Sequence, residues 1–392
     1  MRILFLGALP CVLVAQASAP LSYDEILQRA RTSPEQLRTE ALLAGRERQL
    51  RGSSGLLREG PSIGFSAGPR SSPLTPTTTD RTVEIDLPLF LSQSTQRRLE
   101  KALGKADPAL RESARIEARF RLRQAYLEAW LAERLLVLRE ADLTTVQTWL
   151  QAARVRLEAG ADPAFQVSLV EGEALKAQLD LDEARRNRLQ AWANLRTVSA
   201  VPAAPVPLAD SGDPVFLPAQ DLPARFDRSS LRRAIDARLE LEEQTLRQQE
   251  ALSTSRWSLR GSTSREGEER ITKLGFAYRF PRPGETRAIH RETEANLSAA
   301  KQELEIARIE LDARFQSALT RLVNTSAPTP FASFDTALRA VGMRLSEGKE
   351  RPSEALPIRR QLLEAQVASL RRLHAAHLLT AELQALTDGN NP

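Results

Sequence analysis

A single helical pattern running from about Ser94 to Glu158 narrows the fold more than any other feature of the chain. At 1.5 Å per residue, roughly 65 helical residues reach about 100 Å, a length that no compact globular domain needs. The pattern stops at RLEAGADP, where Gly160 suits a left-handed helix end and Asp162 with Pro163 offers a cap and a first-turn proline. The chain reverses there. On the return, Val170, Ala174, Ala177, Leu181, Ala184, Arg188, Ala191 and Leu195 are spaced 4,3,4,3,4,3,4. That is a heptad seam rich in alanine, which lets neighbouring helices approach closely. The expected object is an antiparallel coiled-coil hairpin.

Two alternating runs precede it. In PSIGFSAG, 61–68, Ile63, Phe65 and Ala67 share one face; in TVEIDLPL, 82–89, Val83, Ile85, Leu87 and Leu89 do, against Thr82, Glu84 and Asp86. Each reads as a strand with one oily face. The segment between them, 69–81, is rich in Pro, Ser and Thr and reads as a solvated loop. Before the strands, 22–58 reads as helix capped by Ser22, with Pro34 bending it or splitting it.

The plan then repeats. Helix 229–252 leads to a strand over 257–263, a charged turn REGEER at 265–270, a strand over 271–280 and a long helix from about Thr286. That helix breaks at SAPTP, 326–330, resumes to Ser346, turns at RLSEG, 344–348, and a last helix returns. The turn at 156–160 corresponds to 344–348 at an offset of 188, and Pro88 to Pro281 at 193. Such self-similarity means two equivalent units side by side. The expected organisation is a leader over 1–19, a first repeat over 20–198, a Pro-rich linker over 199–228 and a second repeat over 229–392.

The leader, MRILFLGALPCVLVAQASA, has one basic residue, an apolar run and small residues at Ala15, Ala17 and Ala19, the pattern of a secretory signal cut after Ala17 or Ala19. The chain's one cysteine, Cys11, lies inside it, and Pro10 before it does not suit lipid attachment. Composition excludes several classes of function. Lys plus Arg number 55 against 50 acids, so the net charge of +5 is spread over a mixed-charge helix surface and does not indicate nucleic acid. The only histidines are His290, His374 and His377, with no nucleophile elbow, phosphate loop or carboxylate constellation, so no catalytic, metal or cofactor site is expected.

No stretch after the leader approaches the roughly 18 apolar residues of a transmembrane helix, so contact with a bilayer must be made by strands. Four strands cannot close into a barrel, and an open sheet edge cannot face lipid. Copies must therefore share one barrel, and three would supply twelve strands. The expected fold is mainly α with a small β portion: duplicated long helical hairpins plus four membrane strands per protomer, a homotrimer forming a 12-stranded barrel on an α-helical barrel.

Nearly the whole chain resembles the TolC-like outer-membrane efflux proteins. Members carry R-Y-x-x-G followed by S-x-x-D-V-L-x-A-E between their periplasmic helices. Here Arg156, Leu157, Gly160, Pro163, Gln166, Val167, Ser168, Val170 and Glu171 stand in those places, so Arg, Gly, Val and the final acid match while Tyr, Ser, Asp and Leu do not. In the second copy Arg344, Leu345, Gly348, Glu354 and Leu356 match or nearly match. The strand exits IDLPLF and AYRFPRPGE resemble the family's P-L-F-x-x-G, and the second, with Pro328 and Pro330, resembles the CzcC/CusC-like heavy-metal branch.

The resemblance implies an outer-membrane channel of a Gram-negative tripartite efflux system. Its barrel would sit in outer-membrane lipid and its helices in the periplasm, docked to a periplasmic adaptor and an inner-membrane resistance-nodulation-division pump. Heavy-metal cations are the expected cargo, with multidrug efflux or type I secretion as alternatives. The turns with Arg156, Leu157, Gly160, Asp162, Arg344, Leu345, Ser346 and Gly348 would form the docking and aperture region. By strand phase Glu84, Asp86, Lys273 and Arg279 would line the lumen, and Trp257, Tyr278 and Phe280 would face outward. A barrel-free periplasmic coiled-coil adaptor or structural protein is the alternative of another class.

Overall fold

The computed structural model describes residues 20–53, 62–72, 75–89, 93–210, 214, 218–254, 257–266, 269–280, 284–324, 332–347 and 349–388. The expected leader and the proline break at 326–330 lie outside the described residues. In chain order come α1 (Tyr23–Gln28), α2 (Pro34–Ser53), β1 (Ser62–Ser72), β2 (Thr75–Pro88), α3 (Gln93–Glu158) and α4 (Ala164–Val198). Then follow α5 (Leu222–Asp227), α6 (Ser230–Thr254), β3 (Trp257–Glu266), β4 (Glu269–Tyr278), α7 (Glu285–Asn324), α8 (Ala332–Ser346) and α9 (Pro352–Leu386).

Pro34 splits the first helical segment. Two capping boxes flank the split. The Glu25 carboxylate accepts from Ser22 N at 2.8 Å while Glu25 N donates to Ser22 Oγ at 3.3 Å. Ser33 and Gln36 repeat the exchange at 2.8 and 3.2 Å, which starts α2 with its proline in the first turn. The long pattern is one helix of 66 residues, α3, which carries Pro108 within it.

The four strands form one antiparallel sheet in the order β1-β2-β3-β4. The expected loop at 69–81 is largely strand: Gly68 pairs with Asp80, Pro69 with Thr79, Arg70 with Thr78 and Ser72 with Thr75. Threonine's β-branch favours extended backbone, and β1 is the outer strand of the sheet, where a proline can be accommodated. The charged turn at 265–270 likewise narrows, because Arg265 pairs with Arg270 and Glu266 with Glu269. Strand β4 ends at Tyr278, so Arg279 and Phe280 lie beyond it and strand phase does not aim their side chains.

The register sorts the sheet into two faces. Ile63, Ile85, Gly261 and Leu274 form one cross-strand row; Phe65, Val83, Thr263 and Thr272 form the next; Leu87, Leu259 and Phe276 precede them. This apolar face is open, with Leu274 78% and Phe276 74% exposed. On the other face Gly64, Glu84, Ser262 and Lys273 share a row, beside Asp86, Arg260 and Gly275.

The chain divides into two compact units, each drawing on both halves of the sequence. The first includes Arg119–Phe216 and Thr325–Ala381. One of its buried clusters gathers Leu21, Ile26, Tyr126, Trp130, Trp192 and Leu195. The segment after α4 lies against it: Tyr126 Oη donates to Ala209 O at 2.8 Å and Trp192 Nε1 to Pro202 O at 3.0 Å. A second cluster holds Val146, Trp149, Val167, Val170, Leu345 and Leu356. The seam foreseen on α4 is buried at Val170, Ala177, Leu181, Ala184 and Leu195.

The other unit, with Thr32–Ala118 and Leu217–Asn324, contains the sheet. Leu43, Leu99, Leu103, Ala106 and Leu241 make its helical core, and Phe226 stacks on Phe315 with ring centroids 4.0 Å apart.

Candidate functional site

The first reversal is held by one bidentate ion pair. Arg156 Nε donates to Asp162 Oδ2 at 2.7 Å and Nη2 to Oδ1 at 3.1 Å, and the Asp162 side chain is only 3% exposed. A paired guanidinium and carboxylate satisfies a buried charge that would otherwise be costly. Arg156 also closes the turn through its carbonyl, which accepts from Ala161 N at 2.8 Å and Asp162 N at 3.3 Å. Gly160 has φ +69°, the left-handed conformation in which a side chain is strained. Leu157 is at the surface.

The second reversal repeats this in looser form. Arg344 Nε lies 3.7 Å from Glu350 Oε2, with the arginine 65% exposed. Glu350 stands six residues after Arg344, as Asp162 stands six after Arg156. Lys349 N donates to Arg344 O at 2.9 Å. Leu345, expected on the docking surface, is buried beside Val146 and Trp149, because it lies on the inward face of the last turn of α8. Ser346 ends α8, while its side chain and all of Gly348 lie outside the described residues.

The two reversals are joined. Gln166 Nε2 donates to Ser353 Oγ at 3.2 Å, and Ser353 N donates to Gln166 Oε1 at 3.1 Å. The glutamine occupies a position at which this chain departs from the family pattern, and its amide ties the first turn of α4 to the first turn of α9.

Behind the turns is a charged cluster that sequence reasoning missed. Arg359 donates to Asp142 and, at 2.7 Å, to Glu173; Arg360 also donates to Glu173. Burial pushes the Glu173 carboxyl up, but hydrogen bonds from Arg360 and Arg359, with their charges, outweigh it and hold it below the ordinary glutamate value. A cavity of about 520 Å³ adjoins the cluster, lined among others by Arg139, Lys176, Asp180 and Glu364. A signal existed. Asp142 lies four before buried Val146, Glu173 three after buried Val170, and Arg359 four after buried Ala355, so each charge falls on a core phase.

On the sheet, Glu84, Asp86 and Lys273 share the polar face, where Asp86 is paired with Arg260 at 3.4 Å. Arg279 lies just beyond the end of β4. Trp257 and Tyr278 sit together on the apolar face, ring centroids 5.0 Å apart, with Phe280 5.1 Å from Tyr278.

The histidines do not gather. His290 is held between Glu250 at 2.7 Å and Glu294 at 3.2 Å, and its pKa is raised, first by the hydrogen bond with Glu250. His377 is buried against Trp130, and burial lowers the pKa of half-buried His374. Among the described residues no group of three or more His, Cys, Asp or Glu could hold a metal ion, and no helix is long and apolar enough to cross a membrane.

Residues 57–201, from the first strand pair through the first helical hairpin, match the family model described as outer membrane efflux protein. No curated protein matches the chain by sequence. Among solved structures, the chain is similar to the Campylobacter jejuni CmeC outer membrane channel, at 14% identity, over 94% of this chain and 85% of that one, with a TM-score of 0.69. It is similar to VceC of Vibrio cholerae at 16% identity, over 93% and 95%, with a TM-score of 0.68. CusC is matched at 16% identity over 93% and 90%, with a TM-score of 0.63, so these likenesses do not single out a heavy-metal branch.

Proposed function

We propose that this chain is an outer membrane efflux protein of the TolC-like fold and works as one protomer of a trimeric duct that exports small solutes and catalyses no reaction. One observation carries the reading: the four-stranded sheet has an exposed apolar face and, among the described residues, two outer strands, β1 and β4, with no partner on one side. Unpaired strand edges are not tolerated in lipid. In an up-and-down order of four, β4 of one copy runs antiparallel to β1 of the next, so copies can close a ring without changing strand direction. Two copies would give eight strands, an interior filled by side chains, whereas three give twelve and leave room for a channel.

The helical hairpins would then extend into the periplasm, with the reversals at Arg156 and Arg344 as the surface offered to a periplasmic adaptor and, through it, to an inner-membrane pump. The polar sheet face would line the lumen. It carries both signs, Glu84 and Asp86 against Arg260 and Lys273, so it does not by itself select cations. Heavy-metal cations are the cargo we put to test, with organic solutes as the alternative.

The test is fractionation followed by conductance. The protein is expected in the outer-membrane fraction as a detergent-extracted trimer that dissociates on heating and opens aqueous channels in planar bilayers. A monomer soluble without detergent overturns the proposal and favours the barrel-free periplasmic alternative. Deletion of the gene should sensitise cells to divalent metals; sensitivity to organic toxicants alone would assign the other cargo.

A further inference from the structure

The apolar sheet face ends in a row of arginines. Ala67 pairs with Arg81, Arg81 with Arg265, and Arg265 with Arg270, all on the face that carries Phe65, Val83 and Leu274. Strands lie about 4.8 Å apart, so the three guanidinium-bearing positions on β2, β3 and β4 span about 10 Å. Like charges directly opposite one another destabilise a sheet. Among the described side chains no acid pairs with them, those of Glu266, Glu268 and Glu269 at the hairpin tip lying outside the described residues, and the row's one polar partner is Thr263 Oγ1, which accepts from Arg270 Nε at 3.3 Å. The contrast with Arg260 is informative, because that arginine is on the polar face and has Asp86 at 3.4 Å.

The position of the row identifies what could relieve it. The helices leave from the opposite end of the sheet, after Pro88 and beyond Tyr278, where Trp257 and Tyr278 form an aromatic pair. From Trp257 to Arg265 the strand rises about 27 Å at 3.4 Å per residue. A barrel tilt of roughly 40° reduces that to about 20 Å along the membrane normal, on the scale of the ~25 Å apolar band of such barrels. If the aromatic pair marks the periplasmic boundary, the arginines lie at the outer boundary, facing lipid head groups.

We infer that Arg81, Arg265 and Arg270 form a docking row for the phosphate groups of the outer leaflet's phosphorylated glycolipid. The guanidinium fork matches phosphate oxygens bidentately, and three forks on adjacent strands suit a head group with more than one phosphate. This rests on the barrel reading above and adds a ligand to its lipid-facing surface.

The test uses the detergent-extracted trimer, stripped of lipid and offered bisphosphorylated lipid A, its dephosphorylated counterpart or phosphatidylcholine, with bound lipid counted by native mass spectrometry. The wild-type trimer is expected to retain about tenfold more of the bisphosphorylated lipid than of the other two, as charge-assisted bidentate contacts require. The R81Q/R265Q/R270Q trimer should lose that preference, and lysines at the three positions should restore part of it. A wild-type trimer that does not discriminate, a glutamine variant that discriminates as well, or complete displacement of the lipid by equimolar inorganic phosphate overturns the proposal and leaves the barrel standing. The wild-type comparison decides even if the glutamine variant fails to assemble. A wild-type protein that is not a membrane trimer overturns the barrel and the docking row together.

Discussion

Arg359 on α9 donates to Glu173 on α4 at 2.7 Å, and both side chains are nearly dry, 3% and 6% exposed. Its guanidinium also reaches Asp142 on α3, so one residue of the second half of the sequence bridges two acids of the first, with Arg360 as a second cation on Glu173. Replacing Arg359 with methionine would fill the space, leave Asp142 buried without its cation and leave Glu173 with Arg360 alone. The expected loss is about 3–5 kcal/mol, the scale for breaking a buried ion pair from one side. Replacing all three, R359M with E173L and D142L, should recover most of it, because no charge is then stranded. The temperature at which the proposed trimer dissociates on unheated-to-heated gels reads both effects.

The same cluster makes an acid prediction. The Glu173 carboxyl is held below its ordinary value of 4.5, so it binds a proton less readily folded than unfolded. Its contribution is therefore fully present above that ordinary value and is lost as the pH falls through the lower folded value. Glu173→Gln should dissociate at a lower temperature than the wild-type protein at pH 7, by a gap that stays constant to about pH 5 and narrows below pH 4.5. Parallel curves for the two proteins would remove Glu173 from the acid response.

At the first reversal, charge reversal of Arg156 does two things at once, since it strips Asp162 of its buried partner as well as altering the surface. A swap of both residues, R156D with D162R, separates them: it should regain stability lost in R156E while leaving export impaired if Arg156 itself contacts the adaptor. Arg344, exposed and only loosely tied to Glu350, gives the cleaner test, and Arg344→Glu should lower export with the trimer intact. At Gly160 no atom lies within 4 Å of an added Cβ, so the cost of alanine there is backbone strain alone, about 1–2 kcal/mol, and asparagine should cost less.

Much of this was legible in the sequence because it is periodic. The long helix, the alanine seam and the apolar strand phases follow from repeat spacing, and Gly160 follows from the conformational freedom that only glycine has in full. What escaped notice was what periodicity does not encode. The segment 69–81 looked like loop because proline and small polar residues dominate it, yet backbone pairing with a neighbouring strand outweighs composition. Arg359 looked like one more surface arginine among many. Only its phase relative to Ala355 set it apart, and its partners lie 186 and 217 residues away in sequence. Glu350, six residues past Arg344, is marked by the duplication itself, since Asp162 stands six past Arg156.

The two sheet faces give the sharpest test of how the chain would meet a membrane. Leu274 and Lys273 are adjacent in β4 and project to opposite faces, so a charge introduced at either meets a different solvent. If the apolar face meets lipid, Leu274→Arg places a cation near the middle of the hydrocarbon band at a cost of about 2–4 kcal/mol, and the yield of assembled outer-membrane trimer should fall severalfold. Lys273→Glu adds no charge to that face and should assemble normally. In the lumen it would join Glu84 of the same row, so planar-bilayer reversal potentials should move toward cation preference. The reverse outcome, with Lys273→Glu blocking assembly and Leu274→Arg changing only conductance, would mean that the sheet is turned the other way round.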